Sequence, residues 1–264
     1  MPRAIDGGPR TLANHDGTSA TFQDLVEFSN AAGGRGTLRV ERGIEALDRA
    51  AVAALLGLPL PKDVQVVAFR STNRAVWADA PPDGLVGLWT LGQFTPGNTT
   101  SVLFPFRGDA RAECIKSDYF GDVPADRLQI TLPAAPDGFG LARFTADSRL
   151  RSKIGLSRAG ATGWIGAWDE ARGVLTLVNH TVPARGVPVP DCDWKPDNPH
   201  AAEGDVATSY NHGGDPGFFE LESLSAAMPQ VPGGYVEHVS TTIHLGGDRD
   251  VLRGIAQAVL HADL

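Results

Sequence analysis

The sequence predicts a mostly β protein made of many short strands, and three observations carry that prediction. Its 264 residues include 31 Gly and 19 Pro. These punctuate most of the chain about every eight to twelve residues, the spacing of strands joined by turns. The runs between them are rich in β-branched and aromatic residues. No repeat, low-complexity tract or break in composition divides the chain, so residues 1–264 are expected to form one domain, a size common for a single all-β unit.

The elements follow in order. Ile44 to Leu56 places Ile44, Leu47, Ala51, Ala54 and Leu55 at helical spacing, which predicts a short helix. Gly57 supplies its stop, and Pro59 and Pro61 forbid continuation. So short a helix needs tertiary packing to persist. Strands are expected at Val64–Ser71, Leu85–Phe94, Thr100–Phe106, Gly140–Thr145, Trp164–Trp168 and Val174–Asn179. The last two read as a hairpin around Asp169–Gly173. Pro183 to Pro216 is dense in Pro, Asp, Asn, His and Gly, and so reads as a long loop of the kind that often carries function. Strands at Phe218–Ser223 and Tyr235–Leu245 follow. Val251–His261 fits either a terminal helix or a trailing strand.

Composition excludes several classes. A net charge of -8 is the wrong sign for a general nucleic-acid binder, which must displace counterions from phosphates, and for an anionic membrane surface. It suits a neutral ligand best. Cys114 and Cys192 have no metal-ligand spacing and make no disulfide framework, so two thiols in a reducing compartment are expected. No apolar run approaches a membrane span, and Met1–Arg10 has no apolar signal core, which points to a cytoplasmic protein. P-loop, dinucleotide-binding, nucleophile-elbow and zinc signatures are all missing. No metal or organic cofactor is expected.

Several groups of residues could carry chemistry. On a strand Phe218–Ser223, Glu220 and Glu222 share one face. Paired carboxylates raise one another's pKa, which suits acid–base work, although two such glutamates more often mark a solvated face. His238 and His244 share a face of the next strand, with Thr242 between them, and imidazoles so placed can move protons or simply be hydrogen-bonded. Asp118 and Tyr119 precede Arg127 in a cluster that turn chemistry does not explain. A ring face and a carboxylate suit sugar C–H bonds and diols, while the bland reading is a loop held by an Asp–Arg bridge. Arg149, Arg151 and Lys153 alternate into a basic stripe fit for an anion or for solvent. Tyr210, Asn211 and His212 bring hydroxyl, amide and imidazole groups to the long loop, and His180 follows Asn179 at a strand end.

The C-terminal third is similar to the end of aldose 1-epimerases. Glu220-Leu221-Glu222-Ser223, Pro232-Gly233 and Tyr235-x-x-His238 carry that resemblance. It implies that Glu222 is the general base and places His238 on the closing strand. From about Leu38 onward the chain resembles a poorly characterised bacterial family with the galactose-mutarotase-like fold. The carrying segments are Leu88–Gly92, Asp118–Gly121 through Arg127-Leu128, Arg151–Leu156, Gly204-Asp205 with Ser209–Asn211, Phe219–Ser223 and Thr242-x-His244. That resemblance implies a galactose-mutarotase-like β-supersandwich with one or two short helices, shortened at its N-terminus. His212 stands where relatives typically carry an acid. Asn179-His180 looks like the epimerase acid motif but sits nearer the base.

What the resemblance implies is an aldose 1-epimerase-like enzyme. Glu222 would take a proton from a sugar hydroxyl, and His238 or His180 would return one to the ring oxygen. Asp118, Tyr119, Arg127, Arg151, Lys153, Tyr210, Asn211, His212, Glu220 and His244 would bind the sugar. Two alternatives stand beside it: a polysaccharide lyase or other carbohydrate-modifying enzyme, and a non-catalytic carbohydrate-binding module. The expected partner is a sugar or oligosaccharide, and exposed sheet edges would favour a homodimer.

Overall fold

The computed structural model describes residues 8–29, 33–108, 112–133, 135, 137–191 and 201–264. Among these, the strands form two antiparallel sheets. The larger has ten strands in the order β1 (Leu12–His15), β2 (Ser19–Ser29), β3 (Arg35–Leu47), β4 (Gln65–Trp77), β15 (Tyr235–Gly246), β12 (Val174–His180), β11 (Trp164–Asp169), β6 (Thr100–Arg107), β9 (Phe139–Thr145) and β8 (Leu128–Thr131). The smaller has five, ordered β5 (Trp89–Phe94), β14 (Phe219–Leu224), β13 (Ala207–Asn211), β10 (Ser152–Leu156) and β7 (Ile115–Lys116). The mostly β prediction therefore holds, and β11 and β12 form the expected hairpin.

Three layers result. Phe104, Phe106, Phe144, Ile154, Leu156, Ile165 and Leu221 are buried in the main core, which fills the space between the sheets. A second core lies on the opposite face of the large sheet, where Leu103, Trp168, Leu175, Leu177, Ile243 and Leu245 meet α1 (Arg49–Leu56) and α2 (Arg249–Leu260). Val52 of α1 and Leu252, Ile255, Ala256, Val259 and Leu260 of α2 are the buried helix residues. The alternative left open for Val251–His261 thus resolves as a helix, started by Asp248, whose side chain accepts the Asp250 and Val251 N–H groups.

The first helix begins later than its periodicity suggests. Asp48 accepts the Ala51 N–H at 2.8 Å, satisfying one of the donors a helix start leaves open. The helix therefore starts at Arg49, and Ile44–Leu47 belong to β3. Gly57 ends it as expected, in the left-handed conformation at φ 69°.

Other expectations shift too. The strand expected at Leu85 starts at Trp89. The long loop loses its end to β13. Arg149 and Arg151 precede β10, so only Lys153 of the basic stripe lies on the strand. Cys114 is buried, and burial raises its thiol to about 11, which makes it a poor nucleophile. Cys192 lies outside the described residues. None of the described helices is long and apolar enough to cross a membrane.

Candidate functional site

The small sheet has two very different faces. Alternation along β14 sends Leu221 and Ser223 towards the large sheet, and Glu220 and Glu222 to the far side. The register continues that far face across the sheet. Glu222 pairs with Leu91 and Thr208, Thr208 pairs with Gly155, and Gly155 pairs with Lys116. The adjacent row runs Gln93, Glu220, Tyr210, Lys153. An apolar core on one side of β14 thus backs a charged layer on the other.

Glu222 is at the centre of that layer and fully buried. Its Oε2 accepts the Trp89 indole N–H at 2.8 Å and the Lys153 ammonium at 3.0 Å. Lys153 is 8% exposed; its Nζ lies 5.9 Å from the Trp89 ring centre and 5.4 Å from that of Tyr119. Among the described residues the other oxygen, Oε1, is buried with no hydrogen-bond partner, and so is the hydroxyl of Thr208 at the paired position. Two such oxygens are expensive in a folded interior, roughly 1–3 kcal/mol each.

A second pair adjoins them. The Tyr119 hydroxyl donates to Asp205 Oδ2. Burial raises the Asp205 carboxyl to about 6, against the pull of that hydrogen bond and of Lys116. Gly155 makes the approach possible, since a Cβ there would lie 2.0 Å from Asp205 Oδ2 and 2.7 Å from the Tyr119 hydroxyl. Gly155→Ala is expected to displace the pair and lower stability by about 1–3 kcal/mol, as overpacking does. Thermal or urea unfolding measures it, and an unchanged midpoint would contradict the close approach. Glu220, bonded to Gln93 at 2.8 Å, is held above the ordinary carboxylate range by burial, with the Glu222 charge adding to the effect.

The remaining predicted residues divide. Lys153, Glu220, Glu222, Tyr119 and Tyr210 share the charged face. Arg151 and His212 lie at its rim, Arg151 bonding the Tyr210 hydroxyl at 3.1 Å and His212 stacking on Phe218 at 4.4 Å. Asp118 makes no side-chain bond among the described residues; its carbonyl closes the turn to Gly121. Arg127 is taken up by a bidentate pair with Asp147, and the Asp–Arg bridge of the bland reading is what holds that loop, through a different aspartate. Asn211 points inward and clamps Ser148 and Leu150, at 2.8 and 2.7 Å.

The histidines lie elsewhere. His238 bonds the Ser223 hydroxyl at 2.8 Å, so it sits between the sheets, behind β14, while Glu222 is in front. His180 is in the same interior, 6.5 Å from the His238 ring, and burial holds both imidazoles down at about 4. The strands do not bring Glu222 together with either histidine across one ligand. His244 shares the inner face with His238, as the alternation predicts, but it meets Thr176 and Phe94 at the far end of β15. Asp205, Thr208 and Trp89 were not singled out from the sequence as site residues. Asp205 stood within the Gly204-Asp205 segment, but nothing local showed that it would meet Tyr119.

Comparison with known proteins adds the following. The model of a family of unknown function, DUF6786, matches residues 1–264. No match was found among curated proteins. Among solved structures, a galactose mutarotase-related enzyme from Lactobacillus acidophilus is similar, with 8% identity and a TM-score of 0.44 over 91% of this chain and 72% of that one. A proposed aldose 1-epimerase from Klebsiella pneumoniae has 8% identity and a TM-score of 0.46, over 96% of this chain and 57% of that one. A Synechocystis protein has 6% identity and a TM-score of 0.38, over 91% and 66%. The chain thus spans well under two thirds of the Klebsiella protein's length.

Proposed function

The chain belongs to the DUF6786 family of unknown function, and we propose from its site that it binds a sugar on the far face of the small sheet and exchanges its anomers by acid–base chemistry. One observation carries this reading. Glu222 Oε1 and the Thr208 hydroxyl, on paired positions of neighbouring strands, are buried with no hydrogen-bond partner among the described residues, while the other Glu222 oxygen is held by Trp89 and Lys153. A fold retains such a cost where a ligand hydroxyl completes the bonding.

The roles follow from position. Lys153 donates to Oε2, which holds the carboxylate in place and leaves Oε1 for the sugar. Oε1 takes the proton of the anomeric hydroxyl. The Tyr119–Asp205 pair returns a proton to the ring oxygen, and a carboxyl raised to about 6 is suited to both giving and taking one near neutral pH. Gly155 is two strands from Glu222, so about 10 Å separates the two positions, with Thr208 between them. In this reading the sugar lies across the middle strand, with one ring face on Trp89. The exchange consumes nothing and needs only the two proton carriers.

The test is a panel of neutral and acidic aldoses, with anomer exchange followed by polarimetry or NMR and binding by thermal shift. Exchange above the buffer rate supports the reading. Saturable binding without exchange would make the protein a binding module, an unsaturated product would make it a lyase, and no binding would overturn the proposal.

A further inference from the structure

The charged face does not end at the Glu222 row. Two to four residues further along β13 and its continuation, about 7–13 Å at strand rise, comes a rim of Phe120, Arg151, Tyr210 and His212. Phe120 is 46% exposed. The Arg151 guanidinium lies 4.0 Å from the centre of its ring, and Nε donates to the Tyr210 hydroxyl at 3.1 Å. The Phe120 and Tyr210 rings meet edge to face at 5.7 Å, and the Tyr210 hydroxyl is 3.4 Å from His212 Nδ1.

Arg151 differs from the other cations of this face. Lys153 is paired with Glu222, Lys116 with Asp191, and Arg149 with Asp147. Among the described residues Arg151 has no carboxylate partner, and its two terminal nitrogens make no bond. The guanidinium is held in place by stacking and by Nε. Its backbone is fixed too, because the loop after β13 packs so closely that a Cβ on Gly213, at φ 69°, would fall 2.0 Å from the Arg151 nitrogen. A preorganised planar fork with its end free matches a two-oxygen anion. The aromatic rings beside it offer a surface for pyranose C–H bonds.

We propose that this rim is a second sugar subsite, and that it takes an anionic residue of an oligosaccharide whose reacting sugar lies at Glu222. The anion is the carboxylate of a uronate or a sulfate ester, bound at Arg151. The proposal rests on the sugar-binding reading above and names its substrate class. In a protein of net charge -8, a single unpaired cation beside the site selects where an acidic chain can lie without attracting anions elsewhere.

The experiment compares three trisaccharides on one backbone: uronate-bearing, carboxyl-reduced and sulfated. Affinities are measured by calorimetry at two salt concentrations, on the wild type, Arg151→Gln, Arg151→Lys and Phe120→Ala. The expected result is at least tenfold tighter binding of one acidic sugar than of the reduced one, weakening with salt. That preference should collapse to about onefold in Arg151→Gln and return in part in Arg151→Lys. Whether uronate or sulfate is preferred identifies the anion. Equal binding of acidic and neutral sugars by the wild type, or a preference that survives Arg151→Gln, overturns the subsite and leaves the Glu222 reading intact. Failure to bind any sugar overturns both. Arg151 is exposed, so its variants are expected to fold, and their melting curves check this.

Discussion

Glu222→Gln should slow anomer exchange by about 10²–10⁴-fold, the usual contribution of a general base. The amide keeps the shape of the carboxylate and can still accept from Trp89, so kcat should fall far more than affinity. The substitution also leaves Lys153 buried without its countercharge, and breaking a buried pair costs roughly 3–5 kcal/mol. A second variant separates the two effects. The Thr208 hydroxyl has no partner among the described residues, so Thr208→Val should leave stability unchanged or raise it by about 1 kcal/mol, while weakening sugar binding. Stabilisation at the expense of binding is the signature of a group kept for its ligand. If Glu222→Gln folds and exchanges anomers at the wild-type rate, Glu222 is not the base. If Thr208→Val destabilises the fold, its hydroxyl has a structural partner.

Acidification from pH 6.5 to 4 should destabilise the protein by several kcal/mol. Burial depresses His180 and His238 to about 4, with His180 adding to the effect on His238. The unfolded chain takes up those protons near pH 6.5. Between the two values the unfolded state binds more protons, so stability drops by about 1.4 kcal/mol per pH unit for each histidine. Asp205 acts in the opposite sense. Its folded pKa is raised from 3.8 to about 6, so its contribution is full below 3.8 and is lost as pH rises through 6. It therefore offsets one histidine over most of the window. Asp205→Asn should remove the offset and steepen the acid limb. Urea unfolding at half-unit pH steps measures both slopes. A flat wild-type profile, or the same slope in Asp205→Asn, would contradict the assignment.

Local patterns identified what lies within one strand or turn. The shared face of Glu220 and Glu222, the hairpin around Asp169–Gly173 and the stop at Gly57 all follow from rules spanning a few residues. The strands before Leu47 were missed because β3 carries Arg42 on its inner face between Val40 and Ile44, which breaks the alternation, while Ile44 and Leu47 happen to match a helical period. Asp48 decided the boundary, and a single capping aspartate is a weak signal beside a run of apolar spacings. The site was harder. Glu222, Thr208, Gly155 and Lys116 become neighbours only through three registers, and the sequence states none of them. The same limit explains the histidines. Alternation groups His238 with His244, but it cannot say that β15 turns that face towards the back of β14.

The pairing of β4 with β15 joins residues 65–76 to residues 235–246 along twelve paired positions. During synthesis the meander from β1 to β4 emerges first and can pair within itself. The free edge of β4 must then wait until β15 has left the ribosome. That edge has thirteen residues and carries Val67, Phe69 and Val76, enough to recruit a wrong strand from a neighbouring nascent chain. Arg70 and Arg74 lie along it and act as charged gatekeepers during the wait. The step that completes the large sheet is therefore also the one whose delay leaves the chain most open to aggregation.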